Sequence, residues 1–191
     1  MANVDAPFGF RLVGKVGSNV NNVGRTEYRI AASEAAIYKG DPVEFDTTGS
    51  VKQADAASPL LGVFDGCFYT DPTTSKPSWS NYWPSNAATD AVAFVFDDPM
   101  ALYEIQCDGS LALADLNLNA DFIFTASPTT VNGQSVAEID STSENTNATL
   151  PLKLLHISTD PDNSDVDSAN ANWIVKINNH QLMGGTGTTG I

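Results

Sequence analysis

The 191 residues carry 9 Lys+Arg against 23 Asp+Glu, a formal net charge of −14, yet only 17% of them are charged. At 42% hydrophobic, the chain can bury enough apolar surface to offset its ordering entropy, which excludes wholesale disorder. So acidic a balance also excludes a nucleic-acid binder, because phosphate contacts need clustered Lys and Arg.

The charge is uneven along the chain. Residues 1–39 hold Arg11, Lys15, Arg25, Arg29 and Lys39 against Asp5, Glu27 and Glu34, a balance of +2. Residues 40–191 carry −16. This asymmetry reads as a weakly basic arm on an acidic body. The opening Met-Ala-Asn-Val-Asp-Ala-Pro has no secretory-leader pattern, and no apolar run reaches the length of a membrane span. The expectation is a chain made and used without export.

Short strand-like runs separated by Gly, Pro, Asn and Asp dominate the chain. Residues 8–16 are extended and mixed in character, and 17–24 (GSNVNNVG) form a loop or arm. Strands are expected over 27–32 and 43–45, with 36–39 leading into the turn Gly40-Asp41-Pro42. The run 60–69 (LLGVFDGCFY) is strongly apolar and its glycines argue against helix. Residues 91–96 and 102–107 read as an adjacent strand pair joined through Asp97-Asp98-Pro99-Met100. Further strands fall at 122–125, 135–139, 150–158 and 173–178, the last rich in β-branched and aromatic residues. Leucines at 111, 113, 116 and 118 fit neither period, so 111–120 reads as a short turn or strand. The tail from Gly184 has little to bury except Ile191 and is expected to be loose.

Many short strands with regular turns predict an all-β fold, a compact β-barrel or jelly-roll sandwich with an extended N-terminal arm and little helix. The expected organisation is an arm over 1–24, one β-rich domain over 25–183, and a Gly/Thr tail over 184–191.

Catalytic chemistry finds no foothold in the pattern. His156 and His180 are the two histidines, and a histidine beside a strand is most often structural. There is no GxSxG elbow and no phosphate-binding glycine loop. Cys67 and Cys107 lack CxxC spacing and sit in apolar runs, where cysteine behaves as a small hydrophobe. Asp160, Asp162 and Ser164 have the 1, 3, 5 spacing of a calcium loop. Asp165 and Ala171, however, stand where that loop needs glycine and glutamate, so a solvated acidic loop is the better reading. The expectation is no enzyme, no metal and no cofactor. The segment 71–86 (DPTTSKPSWSNYWPSN) places Trp79, Tyr82 and Trp83 in polar surroundings too irregular for a strand. Two readings stand beside each other: exposed rings contacting a protein or glycan, or a loop folded back to cap the barrel.

The opening MANVDAPFGFR, the unit Ile37-Tyr-Lys-Gly-Asp-Pro-Val43 and the run Leu60-Leu-Gly-Val-Phe-Asp-Gly-Cys-Phe-Tyr69 resemble virion structural proteins of tailed bacteriophages. They resemble in particular the β-rich capsid decoration, or cement, proteins. That resemblance implies a non-enzymatic protein that binds the outer surface of the assembled capsid at capsomer seams, assembled in the host cytoplasm. Its partner would be the major capsid protein, and symmetry would make a homodimer or homotrimer the natural unit. On this reading Phe8, Phe10, Arg11, Lys15 and Arg25 contact the capsid, with no nucleic acid and no membrane involved. The alternative is a carbohydrate-binding virion or surface module that uses Trp79, Tyr82 and Trp83.

Overall fold

The computed structural model describes residues 2–17, 23–128 and 130–190. Within them the fold is all-β and multi-sheet, with helix confined to one 3-10 turn at Leu113–Asp115. Numbering strands in chain order, the first sheet runs β1 (Arg11–Lys15), β10 (Ala101–Gln106), β15 (Asn172–Ile177), β14 (Leu152–Ile157), β11 (Asn119–Ala120). The second runs β2 (Thr26–Arg29), β9 (Val92–Phe96), β6 (Gly62–Thr70), β4 (Pro42–Phe45), β5 (Val51–Gln53), with β7 (Pro77–Ser80) also on β6. Two small pairs complete the set: β3 (Ile37–Tyr38) with β8 (Tyr82–Trp83), and β12 (Phe122–Phe124) with β13 (Ala137–Ile139). Every pairing between these strands is antiparallel.

The nine-residue β6 is the spine. One edge pairs with β9 along its length, while the other is shared by β4 at Gly62 and Val63 and by β7 from Cys67 to Thr70. Successive strand residues point to opposite faces, and a bulge between Phe64 and Gly66 resets the alternation, so β6 feeds two cores. Val63 packs with Phe10, Tyr103, Ile105, Phe122, Ile139, Leu154, Trp173 and Val175. Phe64, Cys67 and Tyr69 pack with Ile30, Ile37, Val43, Val51, Trp83 and Val95.

The adjacent pair expected from 91–96 and 102–107 is not formed: β9 lies in the second sheet and β10 in the first. The corner between them is held by side chains instead of by a ladder. Asp98 caps the turn from Met100 N–H at 2.8 Å and pairs with Lys15, and Asp97 accepts from the Tyr28 hydroxyl at 2.6 Å. Strands also form where none was expected, at β5 and within the aromatic segment at β7 and β8. Pairing with β4, β6 and β3 supplies the order that local sequence lacks.

The described part of residues 1–24 is docked on the body. Asn163 and Gln106 both donate to the Val4 carbonyl, at 3.0 and 2.9 Å, and Ala6 N–H donates to Gln106 Oε1 at 2.9 Å. Asn3 reaches the carbonyls of Asp165 and Ala169. Phe10 is 3% exposed, edge-on to both Tyr103 and Phe122, and β1 then joins the first sheet. The loop expected over 17–24 falls largely outside the described residues. The tail, expected to be loose, is tied down through Thr188 N–H to Asn178 Oδ1 (2.9 Å) and Gly190 N–H to the Thr146 carbonyl (3.1 Å). Ile191 lies outside the described residues.

Four segments meet at two glycines. Gly9 (φ +71°) and Gly40 (φ +92°) adopt the left-handed region, which costs glycine nothing. Phe10 N–H donates to the Gly40 carbonyl at 2.9 Å, Gly40 N–H to the Phe64 carbonyl at 2.8 Å, and Ser135 N–H to the Lys39 carbonyl at 2.9 Å. A Cβ on Gly9 would stand 2.4 Å from Ser135 Cβ and 2.7 Å from the Gly40 carbonyl oxygen. Gly49 (φ +81°) shares the conformation, but nothing lies within 4 Å of its Cβ position. Gly49→Ala is therefore expected to cost about 1–2 kcal/mol, the left-handed strain alone. Gly9→Ala adds a backbone clash and should cost clearly more, read as the difference between their urea unfolding midpoints. Phe10→Ala should cost about 3–5 kcal/mol by the same measurement, through the cavity it opens.

Candidate functional site

Residues 8–12 border a pocket of about 430 Å³ that opens beside the Gly9–Gly40 crossing. Leu12, Val63, Phe64 and Phe96 give it apolar walls, and Arg11, Lys39, Asp65 and Gln134 give it polar ones. Phe8 and Arg11 belong to one unit, the guanidinium lying 4.8 Å from the ring centroid. Arg11 also pairs with Glu104, its Nε donating at 3.0 Å. Glu104 is buried, and its second oxygen accepts from the Ser158 hydroxyl at 2.5 Å. The buried carboxylate thus fixes one edge of the guanidinium on a side chain that is still 56% exposed.

From this pocket a stripe runs across the outer face of the second sheet. Asp65 pairs with Lys39 at 2.9 Å and with Arg25 at 2.6 Å, one carboxylate between two cations. Arg25 lies 5.8 Å from the centroid of Phe94, and Phe94 packs on Trp79 at 4.8 Å. Trp79 is 56% exposed, and its neighbour across the β6–β7 ladder, Phe68, is also exposed. The result is a connected surface of Phe8, Arg11, Lys39, Arg25, Phe94 and Trp79 with surplus positive charge, on a chain of net charge −14.

The residues expected to contact a capsid divide accordingly. Phe8, Arg11 and Arg25 lie on this surface. Phe10 borders the pocket but is a core residue, packed by Tyr103 and Phe122, so it is no free anchor. Lys15 points elsewhere, into its pairing with Asp98. The three rings of the aromatic segment are likewise separated. Trp83 is fully buried, edge-on to Tyr69, with its indole N–H on the Glu34 carbonyl at 3.0 Å. Tyr82 stacks on Tyr38 at 5.7 Å and is half-buried. Only Trp79 of the three offers an exposed ring, so they form no common platform. The reason is that Trp79 lies in β7 against β6, whereas Tyr82 and Trp83 lie in β8 against β3, where as successive residues they point to opposite faces.

Lys39, Asp65, Phe94 and Gln134 were missed from the sequence. Asp65 had a signal, an acidic residue inside an apolar strand run. Phe94 had none, since AVAFVF reads as uniformly core.

Beside the pocket the turn after Gly40 holds a buried carboxylate. Asp41 Oδ2 accepts from Tyr38 N–H and from Gln53 Nε2, each at 2.8 Å. The Ser135 hydroxyl also favours its ionised form, yet Oδ1 has no partner in hydrogen-bonding geometry. Burial outweighs these donors and pushes the carboxyl up to about 6. Both cysteines are buried, one in each core, and burial pushes their thiols up to about 12. His156 is exposed on a bulge of β14, whereas His180 is buried with its Nδ1 accepting from Leu182 N–H at 3.1 Å. The 160–167 loop is a tether for the N-terminal residues, through Asn163. Among the described residues no group of three or more His, Cys, Asp or Glu is placed to hold a metal.

A carboxyl whose folded pKa stands above its unfolded value of 3.8 favours folding when protonated. Asp41 therefore contributes stability that is full below about pH 4 and is lost as pH rises through about 6. The amount is on the order of 3 kcal/mol. Asp41→Asn keeps an acceptor for Tyr38 and removes the buried charge. Its melting temperature should exceed the parent's at pH 7.5, with the gap closing towards pH 4.

No protein-family model, curated protein or solved structure matches this chain, whose function has to be read from its own surface.

Proposed function

We propose that this protein is a non-enzymatic capsid decoration protein of a tailed bacteriophage, bound to the outer face of the head at capsomer seams. The observation that carries the reading is the stripe from Phe8 to Trp79. It combines the exposed Trp79 ring and the half-buried Phe8 and Phe94 rings with arginines, the kind of side chains that dominate binding energy at protein interfaces. The motifs that resemble decoration proteins build its pocket end, while Arg25, Phe94 and Trp79 come from outside them. FGFR supplies Phe8 and Arg11, IYKGDPV supplies Lys39 and Gly40, and LLGVFDGCFY supplies Val63, Phe64 and Asp65.

The major capsid protein is the partner in this reading, and a homodimer or homotrimer assembled in the host cytoplasm is the decorating unit. The strongly acidic remainder favours solubility and disfavours contacts between copies outside the docked geometry. The finer architecture belonging to the proposal is two antiparallel sheets closed over a shared core as a barrel or jelly-roll sandwich. Core contacts between Val63 of the second sheet and Tyr103 and Val175 of the first support it.

Deleting residues 1–24 is a poor test, because it removes Phe10 and β1 from the body. Surface changes on the stripe test the same idea without that cost. Trp79→Ser combined with Arg25→Gln, which leaves Asp65 paired with Lys39, should leave the melting temperature close to the parent's. Occupancy on purified decoration-free heads should fall, with affinity reduced more than about tenfold, the scale of losing one interface hot spot. Unchanged occupancy across the titration overturns the proposal. The glycan reading retains one observation, the exposed Trp79 ring. A glycan bound by the parent and lost in Trp79→Ser, with heads decorated normally by both, would favour it instead.

A further inference from the structure

We infer that the pocket beside Gly9 and Gly40 is a docking site for an extended partner segment that presents a large apolar side chain and, two residues away, a carboxylate. The inference rests on the binding role argued above and adds the chemistry of what is bound.

Three features of the pocket select that occupant. Its size, about 430 Å³, and its walls of Leu12, Val63, Phe64 and Phe96 suit a large apolar side chain. The surface beside the pocket carries surplus positive charge, since Asp65 of the pocket stands between Lys39 of the lining and Arg25 just outside it and neutralises one of them. Arg11 adds unused capacity. Its Nε and one terminal nitrogen face Glu104 and its Cζ lies 4.8 Å from the Phe8 ring centroid, while the side chain as a whole stays 56% exposed. A guanidinium has five N–H donors in a fixed fork, so a second carboxylate has donors to meet.

The third feature is the strand alongside. Among the described residues β1 stands at the end of the first sheet with β10 as its one neighbour, and Arg11 and Leu12 of β1 are pocket residues. An unpaired strand edge is a template for an incoming extended chain, whose main-chain groups supply affinity and whose alternate side chains supply specificity. Side chains that share a face of such a chain are two residues apart. One residue therefore enters the apolar pocket while its second neighbour reaches Arg11 and Lys39. Charge complementarity makes that neighbour Asp or Glu, and a free metabolite would leave the β1 edge unused.

The test uses fluorescently labelled, end-blocked octapeptides of alternating pattern titrated into the full chain by anisotropy. One carries Leu and Asp two residues apart, a twin carries Asn for Asp, and a third places Leu and Asp side by side. The first should bind at least about tenfold tighter than both others, the gain expected of a charge-assisted pair. Amide resonances of residues 8–14 and 39–40 should shift on binding. Lys39→Gln, a change at a half-exposed side chain that leaves Asp65 paired with Arg25, should reduce the Asp peptide towards the level of its Asn twin. Equal binding of the three peptides, no binding at millimolar peptide, or shifts mapping to another face each overturn the inference. Heads decorated normally by a protein that ignores all three peptides would remove this inference and leave the decorating role standing. Peptide binding as expected, with heads left bare, would do the reverse.

Discussion

The backbone crossing at Gly9 and Gly40 is the constraint on which the rest of the molecule depends. Two chain segments approach there more closely than any side chain allows, and a third, at Ser135, closes over them. The approach lets Phe10 drop into the first core and lets Gly40 hand its N–H to Phe64 in the second sheet. It also determines where the pocket opens, because Phe8 and Arg11 are carried on one arm of the crossing and Lys39 on the other. Structure and candidate site therefore share one origin. The residues that make the fold close are next to those that leave a surface open.

Electrostatics is organised by pairing more than by net charge. A chain at −14 has few cations to place, and several are spent on buried or half-buried carboxylates: Arg11 on Glu104, Lys15 on Asp98, Lys52 on Glu44. In each pair the cation stays partly exposed, so solvent screening limits what the pair adds to stability. Their effect here is positional, since each fixes a long side chain that otherwise samples many rotamers. Asp41 is the contrary case, a carboxylate buried without a cation, and its cost at neutral pH is accepted where the turn needs an acceptor for Tyr38.

Local pattern carried the fold class well. Alternation, β-branched content and Gly/Asn/Asp punctuation mark most of the longer strands, from 60–69 through 173–178. Partnership was another matter. Residues 91–96 and 102–107 look like a hairpin in sequence, but the corner at Asp97–Met100 is built to turn the chain from one sheet to the other. The short strands β5, β7 and β8 exist because neighbours pair with them, which no local signal encodes. At the site, Phe8, Arg11 and Arg25 were legible as a basic and aromatic set near the N-terminus. Phe10 and Trp83 were not legible as core, because a ring in charged or polar surroundings reads the same whether it faces solvent or a sheet. Lys39, Asp65 and Phe94 come to the site through long-range pairing alone.

The tethers on the first residues have a consequence in time. Val4 is held by Asn163, Ala6 by Gln106 and Phe8 by Gln134, so each of these early residues has its partner 100 or more positions further along the chain. Synthesis proceeds at roughly 5–20 residues per second, so such a contact waits at least about 5 seconds for its second half. The tether on Phe8 needs Gln134, and the pocket is therefore completed late, by a contact that short-range folding of residues 8–40 does not supply.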